Sequence, residues 1–259
     1  MGEIEMIDLH AHILPGLDDG AETLDESIEM CWLSYQDGVR TIVATPHILP
    51  GIYKNDRSKI LSKLHELNEA FIHSELRTPN SELSLKILPG ADVHFSLDML
   101  QLCENGEIVT VNDNGRYLMV EFDFQGIPYH AEDVLFQMIM HGIIPIITHP
   151  ERNLEIARSP NRYYEIIKMG CLGQVTAMSL TGGFGPGVRR IAEKLLKNRL
   201  AHVIASDSHS INRRPPILST ALRATEKIVG KEEAQKMVTE YPQAIIEGRR
   251  PNVPDPSPI

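Results

Sequence analysis

The chain carries only three cysteines, Cys31, Cys103 and Cys171, and no C-x-x-C pair among them. An odd, scattered set fits a reducing compartment and supplies no disulfide framework. No run of about 20 apolar residues is present, so the sequence offers no transmembrane helix. The opening "MGEIEMIDLH" lacks a basic region leading into an apolar core, so no secretory signal is visible. Met6 stands where an N-myristoylation pattern needs Ser or Thr. Basic blocks are missing too, and the formal net charge is −10. Long-range attraction to nucleic acid or an anionic membrane is therefore not expected, and an anionic ligand would have to be captured locally. These absences point to a cytoplasmic location without membrane insertion, and leave the oligomeric state open.

Repeats and long linkers are also lacking. At 259 residues, 42% hydrophobic and 23% charged, the chain suits one α/β domain with ample core. We expect that domain over residues 1–250 and a disordered proline-rich tail, "PNVPDPSPI", over 251–259. Apolar strand-like runs alternate with helical patterns. "IEMIDLHAH" reads as a strand. "TLDESIEMCWLSYQDG" has capping-box spacing from Thr23 to Glu26 and Gly38 as a stop. "VRTIVATPH" is a strand ending at His47, and Ile60, Leu61, Leu64, Leu67 and Phe71 mark the next helix. "LKILPGADVHF" is a broken strand, "RYLMVEFDF" another, and "IIPIITH", "CLGQVTAMSL" and "AHVIASDSH" continue the series. The end, "EEAQKMVTEYPQAIIEG", reads as helical. Repeated β-α units imply parallel strands with right-handed crossovers, in a barrel or a doubly wound sheet.

Polar residues fall on this scaffold in a pattern. In "IDLHAHILPGLDDG", Asp8, His10 and His12 alternate with Ile7, Leu9 and Ala11, so an extended strand would put the three polar groups on one face. Imidazole and carboxylate together suit a divalent cation, although an isolated H-x-H is more often a satisfied structural pair. His47, Asp92, Glu121, His149, Asp207 and His209 also sit where apolar strands run out. The carboxyl ends of parallel strands are where barrels assemble their sites. His65 and His73 lie in a helix, His141 at a helix end and His202 at a strand start, and these read as structural. His94 and His130 are undecided.

"DLHAHILPGLDDG", "ATPH", "EF", "ITHPERN" and "SDSHSINRRPP", in that order, resemble the polymerase-and-histidinol-phosphatase (PHP) superfamily. Within it the chain is most similar to the bacterial manganese-dependent protein-tyrosine phosphatases of capsule and exopolysaccharide operons, from about Ile7 to Leu222. The resemblance implies a distorted TIM-like (β/α)7 barrel holding three divalent metal ions, Mn2+ above Fe, Mg or Zn. It assigns His10, His12 and Asp207 to one ion, Glu121 and His149 to a second with Asp92 bridging, and Asp19, His47 and His209 to the third. The family usually has Glu where this chain has Asp92, one methylene shorter, and His94 is placed to compensate. The implied substrate is a phosphotyrosyl protein, on the tail of a bacterial tyrosine kinase that controls polysaccharide synthesis.

The implied chemistry is attack on phosphorus by a hydroxide generated from water between ions about 4 Å apart. Arg152 and Arg214 follow ligand segments directly and would hold the phosphoryl oxygens in bidentate fashion, Arg213 being the weaker candidate of its pair. The ordinary reading of Arg152 is a salt bridge to Glu151 or Glu155. Thiolate phosphatase chemistry is excluded, because the positions six after the cysteines hold Asp37, Val109 and Ala177 rather than arginine. "TGGFGPG" lacks the Lys-Ser/Thr of a nucleotide loop and reads as a turn over the site's rim, and no G-x-S-x-G elbow occurs. Tyr53, Phe124 and Tyr129 offer apolar surface for a phenyl ring, or serve as loop anchors. Two rivals stand: a small-molecule phosphatase such as a histidinol-phosphate phosphatase, and a metal-stabilised binding protein without turnover. The second would need a damaged site, yet every expected ligand position holds a ligand-capable residue.

Overall fold

Nine strands, β1 (Met6–Ala11), β2 (Val39–Ala44), β3 (His47–Ile48), β4 (Lys86–Pro89), β5 (Asp92–His94), β6 (Tyr117–Glu121), β7 (Ile144–Thr148), β8 (Leu172–Thr176) and β9 (Val203–Ala205), form the frame of the computed structural model, which describes residues 4–74 and 85–259. Every pairing between them is parallel. They form two sheets, β1-β2-β4 and β3-β5-β6-β7-β8-β9. The division is local. β3 continues β2 after Thr45-Pro46, and β5 continues β4 after Gly90-Ala91, so the nine strands lie along seven lines in sequence order.

The two breaks lie side by side. Pro46 has no N–H to give a ladder, and its carbonyl accepts instead from the Asp92 N–H at 3.1 Å. At Gly90 a Cβ would lie 2.7 Å from Val43 Cγ1 and 3.1 Å from Thr45 Cγ2, so the close approach of the bent strands needs glycine. The last line is bonded back to the first beyond the end of β9. Asp207 N–H donates to His10 O at 2.8 Å, His12 N–H donates to Ser208 O at 2.9 Å, and Ala11 and Ser208 form a parallel bridge.

Alternation along the strands divides the apolar residues between two clusters. Tyr117 and Met119 join Leu9, Val43, Ile146 and Val203, and Ile245 and Ile246 of the helix Glu240–Ile246 pack onto this group. Leu118 and Val120 instead face the larger cluster shared with the helices. Helix boundaries follow local chemistry. Thr23 caps Leu24–Gln36 by accepting from Glu26 N–H at 3.2 Å, while the Glu26 side chain reaches Glu22 N–H rather than that of Thr23. Asp56 caps Arg57–His73, whose Ile60, Leu64, Leu67 and Phe71 are buried. The helical C-terminal pattern is two helices, Lys231–Lys236 and Glu240–Ile246, separated at Met237-Val238-Thr239. Among the described residues, the helices Met99–Glu104, Ala131–Met140, Leu154–Arg158, Asn161–Met169, Ala177–Thr181, Pro186–Lys197 and Ser219–Val229 complete the connections.

The tail 251–259 forms no helix or strand, but it lies against the domain. Ser257 N–H donates to Asn198 O at 2.9 Å, Pro251 is buried, and Val253 and Ile259 pack on the core.

The paired breaks yield a stability prediction. Gly90→Ala should cost about 1–3 kcal/mol, the usual range for forcing extra methyl groups into a packed site, visible as a lower urea midpoint. An unchanged midpoint would mean that Val43 yields freely and that the bend does not require glycine.

Candidate metal centre

The parallel registers bring the polar strand ends to one place. His47 pairs with Asp92 across β3 and β5, and His94 with Glu121 across β5 and β6. His149 directly follows β7 and Asp207 lies two residues past β9, with positive φ of 35° and 51°, in the left-handed region that non-glycine residues avoid. Such backbone persists where the surroundings over-determine it, and it collects at functional sites. β1 contributes through an irregularity. Its register against β2 slips between Asp8 and Ala11, so the expected common face of Asp8, His10 and His12 does not hold throughout. Asp8 turns to backbone, accepting from Ser206 N–H at 2.9 Å and His10 N–H at 3.3 Å, and so stitches the first line to the last. His10 and His12 converge instead, with Nε2 atoms 2.9 Å apart.

Around that pair the donor atoms crowd. Asp207 Oδ1 lies 3.6 Å from His10 Nε2 and 3.5 Å from His12 Nε2, and Asp92 Oδ2 lies 3.6 Å from His10 Nε2. His47 Nδ1 is 3.4 Å from Asp92 Oδ2 and 3.5 Å from Glu121 Oε2, while His149 Nε2 is 3.3 Å from Glu121 Oε1. Asp19 Oδ1 is 3.6 Å from both His47 Nε2 and His209 Nε2. Ligands about 2.0–2.2 Å from one ion stand roughly 3–3.6 Å from one another, so these gaps are of the size a shared cation leaves. Among the described residues, three sets have donor atoms within 4.8 Å of one another: His12-Asp19-His47-His209, His10-His12-Asp92 and His47-Asp92-Glu121. His12 thus also joins the group expected for Asp19, His47 and His209, and His47 also faces Asp92 and Glu121.

Outer hydrogen bonds aim the imidazoles. Gln174 Oε1 accepts from His10 Nδ1 at 2.9 Å, and Asp18 Oδ2 from His12 Nδ1 at 2.7 Å. With the Nδ1 positions so occupied, the facing Nε2 atoms can both be satisfied by a proton shared between them or by a cation bound to both. Burial lowers the His10 pKa to about 4, against the pull of Asp92 and Asp207. Burial also opposes charge on His12, yet the Asp18 carboxylate outweighs it and lifts His12 to about 10. The Asp18 carboxylate that favours a proton on His12 also favours a metal cation there, in competition with that proton. His47 Nδ1 and Asp92 Oδ2 are buried without hydrogen-bond partners although they face each other, and a cation between them would satisfy both. Burial raises the cost of charge on Asp207, but His10, His12 and Arg214 hold its carboxyl well below the usual range.

Both arginines come to Asp207. Arg152 Nη1 donates to Asp207 Oδ2 at 3.0 Å and Arg214 Nη2 lies 2.5 Å from the same oxygen. Arg152 does not pair with its neighbours: Glu151 accepts from Thr176 N–H and Ser179 Oγ, and Glu155 serves Ile127 N–H and Arg162. His94 stands at the edge, 3.8 Å from Glu121 Oε2. His130 pairs with Asp133 at the surface, His141 with Glu104, and buried His202 accepts from Gly173 N–H. Reading the sequence alone passed over Asp18, Gln174 and Thr148, whose Oγ1 donates to Asp92 Oδ1 at 3.2 Å. Of these only Asp18 left a signal, the doubled Asp18-Asp19 that closes the first loop.

Against known proteins, the family model described as "Capsular polysaccharide synthesis, CpsB/CapC" matches residues 6–247. The tyrosine-protein phosphatase YwqE of Bacillus subtilis is 34% identical over 98% of this chain and 96% of its own. The putative tyrosine-protein phosphatase CapC of Staphylococcus aureus is 39% identical over 82% of this chain and 80% of its own. A crystal structure from work on YwqE and on CpsB of Streptococcus pneumoniae, described as unique metal-dependent tyrosine phosphatases, superposes with a TM-score of 0.91 at 33% identity, covering 98% of this chain and 99% of that one.

Asp18 holds His12 Nδ1 at 2.7 Å, His47 N–H at 2.8 Å and Gly20 N–H at 2.9 Å, and so joins two of the donor sets. Asp18→Asn should keep the fold but weaken divalent-ion binding about 10–100-fold, the usual effect of losing a carboxylate behind a ligating histidine. Chelator competition on the purified variant measures it, and wild-type affinity would reduce Asp18 to a loop brace.

Proposed function

Since this chain belongs to the CpsB/CapC family of capsular polysaccharide synthesis, we propose that it is a metal-dependent phosphatase that hydrolyses phosphotyrosine in proteins. The observation carrying this reading is the convergence of His10, His12, Asp19, His47, Asp92, Glu121, His149, Asp207 and His209 in one cluster, with Arg152 and Arg214 beside them. The donors divide among three ions as the family resemblance implies, Mn2+ being the favoured metal. Asp92 serves in place of the family's Glu, with Thr148 fixing one of its oxygens. The phosphoprotein is the tail of a tyrosine kinase, and the reaction runs in the cytoplasm. Among the described residues no helix is long and apolar enough to cross a membrane.

Divalent ions at these donors would neutralise phosphoryl charge and make water nucleophilic near neutral pH. The rest of the work falls to side chains. A phosphate dianion approaching a chain of net charge −10 needs local cations. Arg152 and Arg214 supply them in fixed positions, and their contacts with Asp207 can be exchanged for phosphoryl oxygens. Side-chain exposures of 17% and 20% leave both guanidinium groups partly shielded from water, where their charge is screened least. Thiol chemistry has no place here. Burial pushes Cys103 up to about 11 and raises Cys31 and Cys171 further, so none is an available thiolate.

Hydrolysis of p-nitrophenyl phosphate should therefore require a divalent ion and survive replacement of all three cysteines. Turnover persisting after rigorous chelation and dialysis would end the metal reading. The arginines give a separate prediction. Arg152→Ala should retain wild-type metal content yet lose about 2–4 kcal/mol of transition-state stabilisation, as for other preorganised charge donors. Metal analysis beside kcat/KM tests it, and full turnover in the variant would remove Arg152 from the phosphate site.

A further inference from the structure

The glycine-rich turn "TGGFGPG" contributes none of the metal-ligand candidates, yet its geometry has a purpose. Gly182 and Gly185 take φ of 89° and 90°, conformations that suit glycine, and between them the turn presents Phe184. The Arg152 guanidinium carbon lies 4.7 Å from the Phe184 ring centroid, and that of Arg214 lies 5.7 Å from it. A second ring meets Arg152 as well: Phe124, also at 4.7 Å, from the loop after β6. The Phe124 ring is 5.8 Å from the His149 ring, so it stands at the lip of the donor cluster. The two phenylalanines differ in what else they can touch. Phe184 is partly buried and shared by both arginines, whereas Phe124 is 46% exposed. Nearly half of the Phe124 side chain is therefore open to solvent beside the guanidinium that would grip a phosphoryl group. The other aromatic candidates are less well placed. Tyr53 is stacked at 12° on His47, and Tyr129, 83% exposed, leans on His130 away from the donors.

We propose that Phe124 is the specificity residue of the site: its exposed ring receives the aryl ring of the leaving group, while Phe184 is a positioning residue that holds Arg152 and Arg214. This rests on the phosphotyrosine reading above. Once the phosphoryl group engages Arg152, a phenol attached to it comes within reach of Phe124, and a serine side chain offers nothing to pack there. An aromatic pair contributes about 0.5–1.5 kcal/mol beyond area burial, or roughly a two- to twelvefold preference for aryl over alkyl esters. Arg152 also gains from the arrangement, because a cation over aromatic faces is held without a competing hydrogen bond.

The experiment compares wild type, Phe124→Ala, Phe124→Trp and Phe184→Ala, each loaded with Mn2+ and checked for equal metal content. The probes are two peptides of one sequence, bearing phosphotyrosine or phosphoserine, and a non-hydrolysable phosphonate analogue of phosphotyrosine as inhibitor. We expect Phe124→Ala to lower the phosphotyrosine-to-phosphoserine ratio of kcat/KM about two- to tenfold and to weaken the inhibitor by a similar factor, with Phe124→Trp restoring both. Phe184→Ala should lower kcat/KM for both peptides together and leave the ratio unchanged. An unchanged ratio in Phe124→Ala, or an equal loss of ratio in Phe184→Ala, overturns the assignment. A wild type that fails to hydrolyse the phosphotyrosyl peptide would instead overturn the phosphatase reading itself, independently of either phenylalanine.

Discussion

Carboxylates and imidazoles packed together out of water require a compensating positive charge, and much of this molecule is arranged around that requirement. Asp92 is fully buried, Asp207 nearly so, and Glu121 is screened by His149, His94 and His47. At about 4 Å, two like charges repel by roughly 4 kcal/mol at an effective dielectric of about 20. Part of the compensation is already in the chain, since Arg152 and Arg214 both lean on Asp207 and draw its carboxyl down. The remainder falls to the histidines. In His12, His10 and His209 the Nδ1 atoms are tied back to Asp18, Gln174 and the Asp207 carbonyl, so their Nε2 atoms point where charge is needed. Gln174, a neutral acceptor, and Asp18, a charged one, sit behind adjacent histidines that end with pKa values about 4 and about 10.

The distortions of the frame serve the same end. Regular strands would alternate inward and outward residues to their tips, and would not set His10 beside His12 at 2.9 Å. The slip in β1, the paired breaks at Pro46 and Gly90, and the left-handed turns at His149 and Asp207 each redirect a side chain at the moment its strand ends. Asp8 mends what the slip disrupts, because its carboxylate takes a backbone N–H of the last line where a strand carbonyl would otherwise serve. Burial raises its pKa to about 6, a cost borne by the connection between first and last lines.

The strand ends were legible in the sequence for a physical reason. A parallel strand buried on both faces reads as a continuous apolar run, and any His or Asp terminating it is conspicuous. The broken strand at Pro89-Gly90 and the cap at Thr23 were legible for equally local reasons. What remained hidden depends on contacts between distant segments. Gln174 lies in the middle of a run whose neighbours are apolar, and only the 164-residue reach to His10 gives it meaning. Asp8 looked like a third member of the His10-His12 face until the slip turned it aside. Short helices such as Ala177–Thr181 lack the length that periodicity needs to register.

The arginines close the argument about charge. A protein that repels anions at long range gains selectivity from it, because a ligand is held only where local cations outweigh the general field. Arg152 and Arg214 supply that reversal at one point, and the apolar rings against them limit the water that would screen it. Their resting partner is Asp207, which itself faces His10 and His12. The two uses fall on different oxygens, because Oδ1 faces the histidines while Oδ2 accepts from Arg152 and lies against Arg214, so a single carboxylate fixes the cationic pair beside the donor cluster.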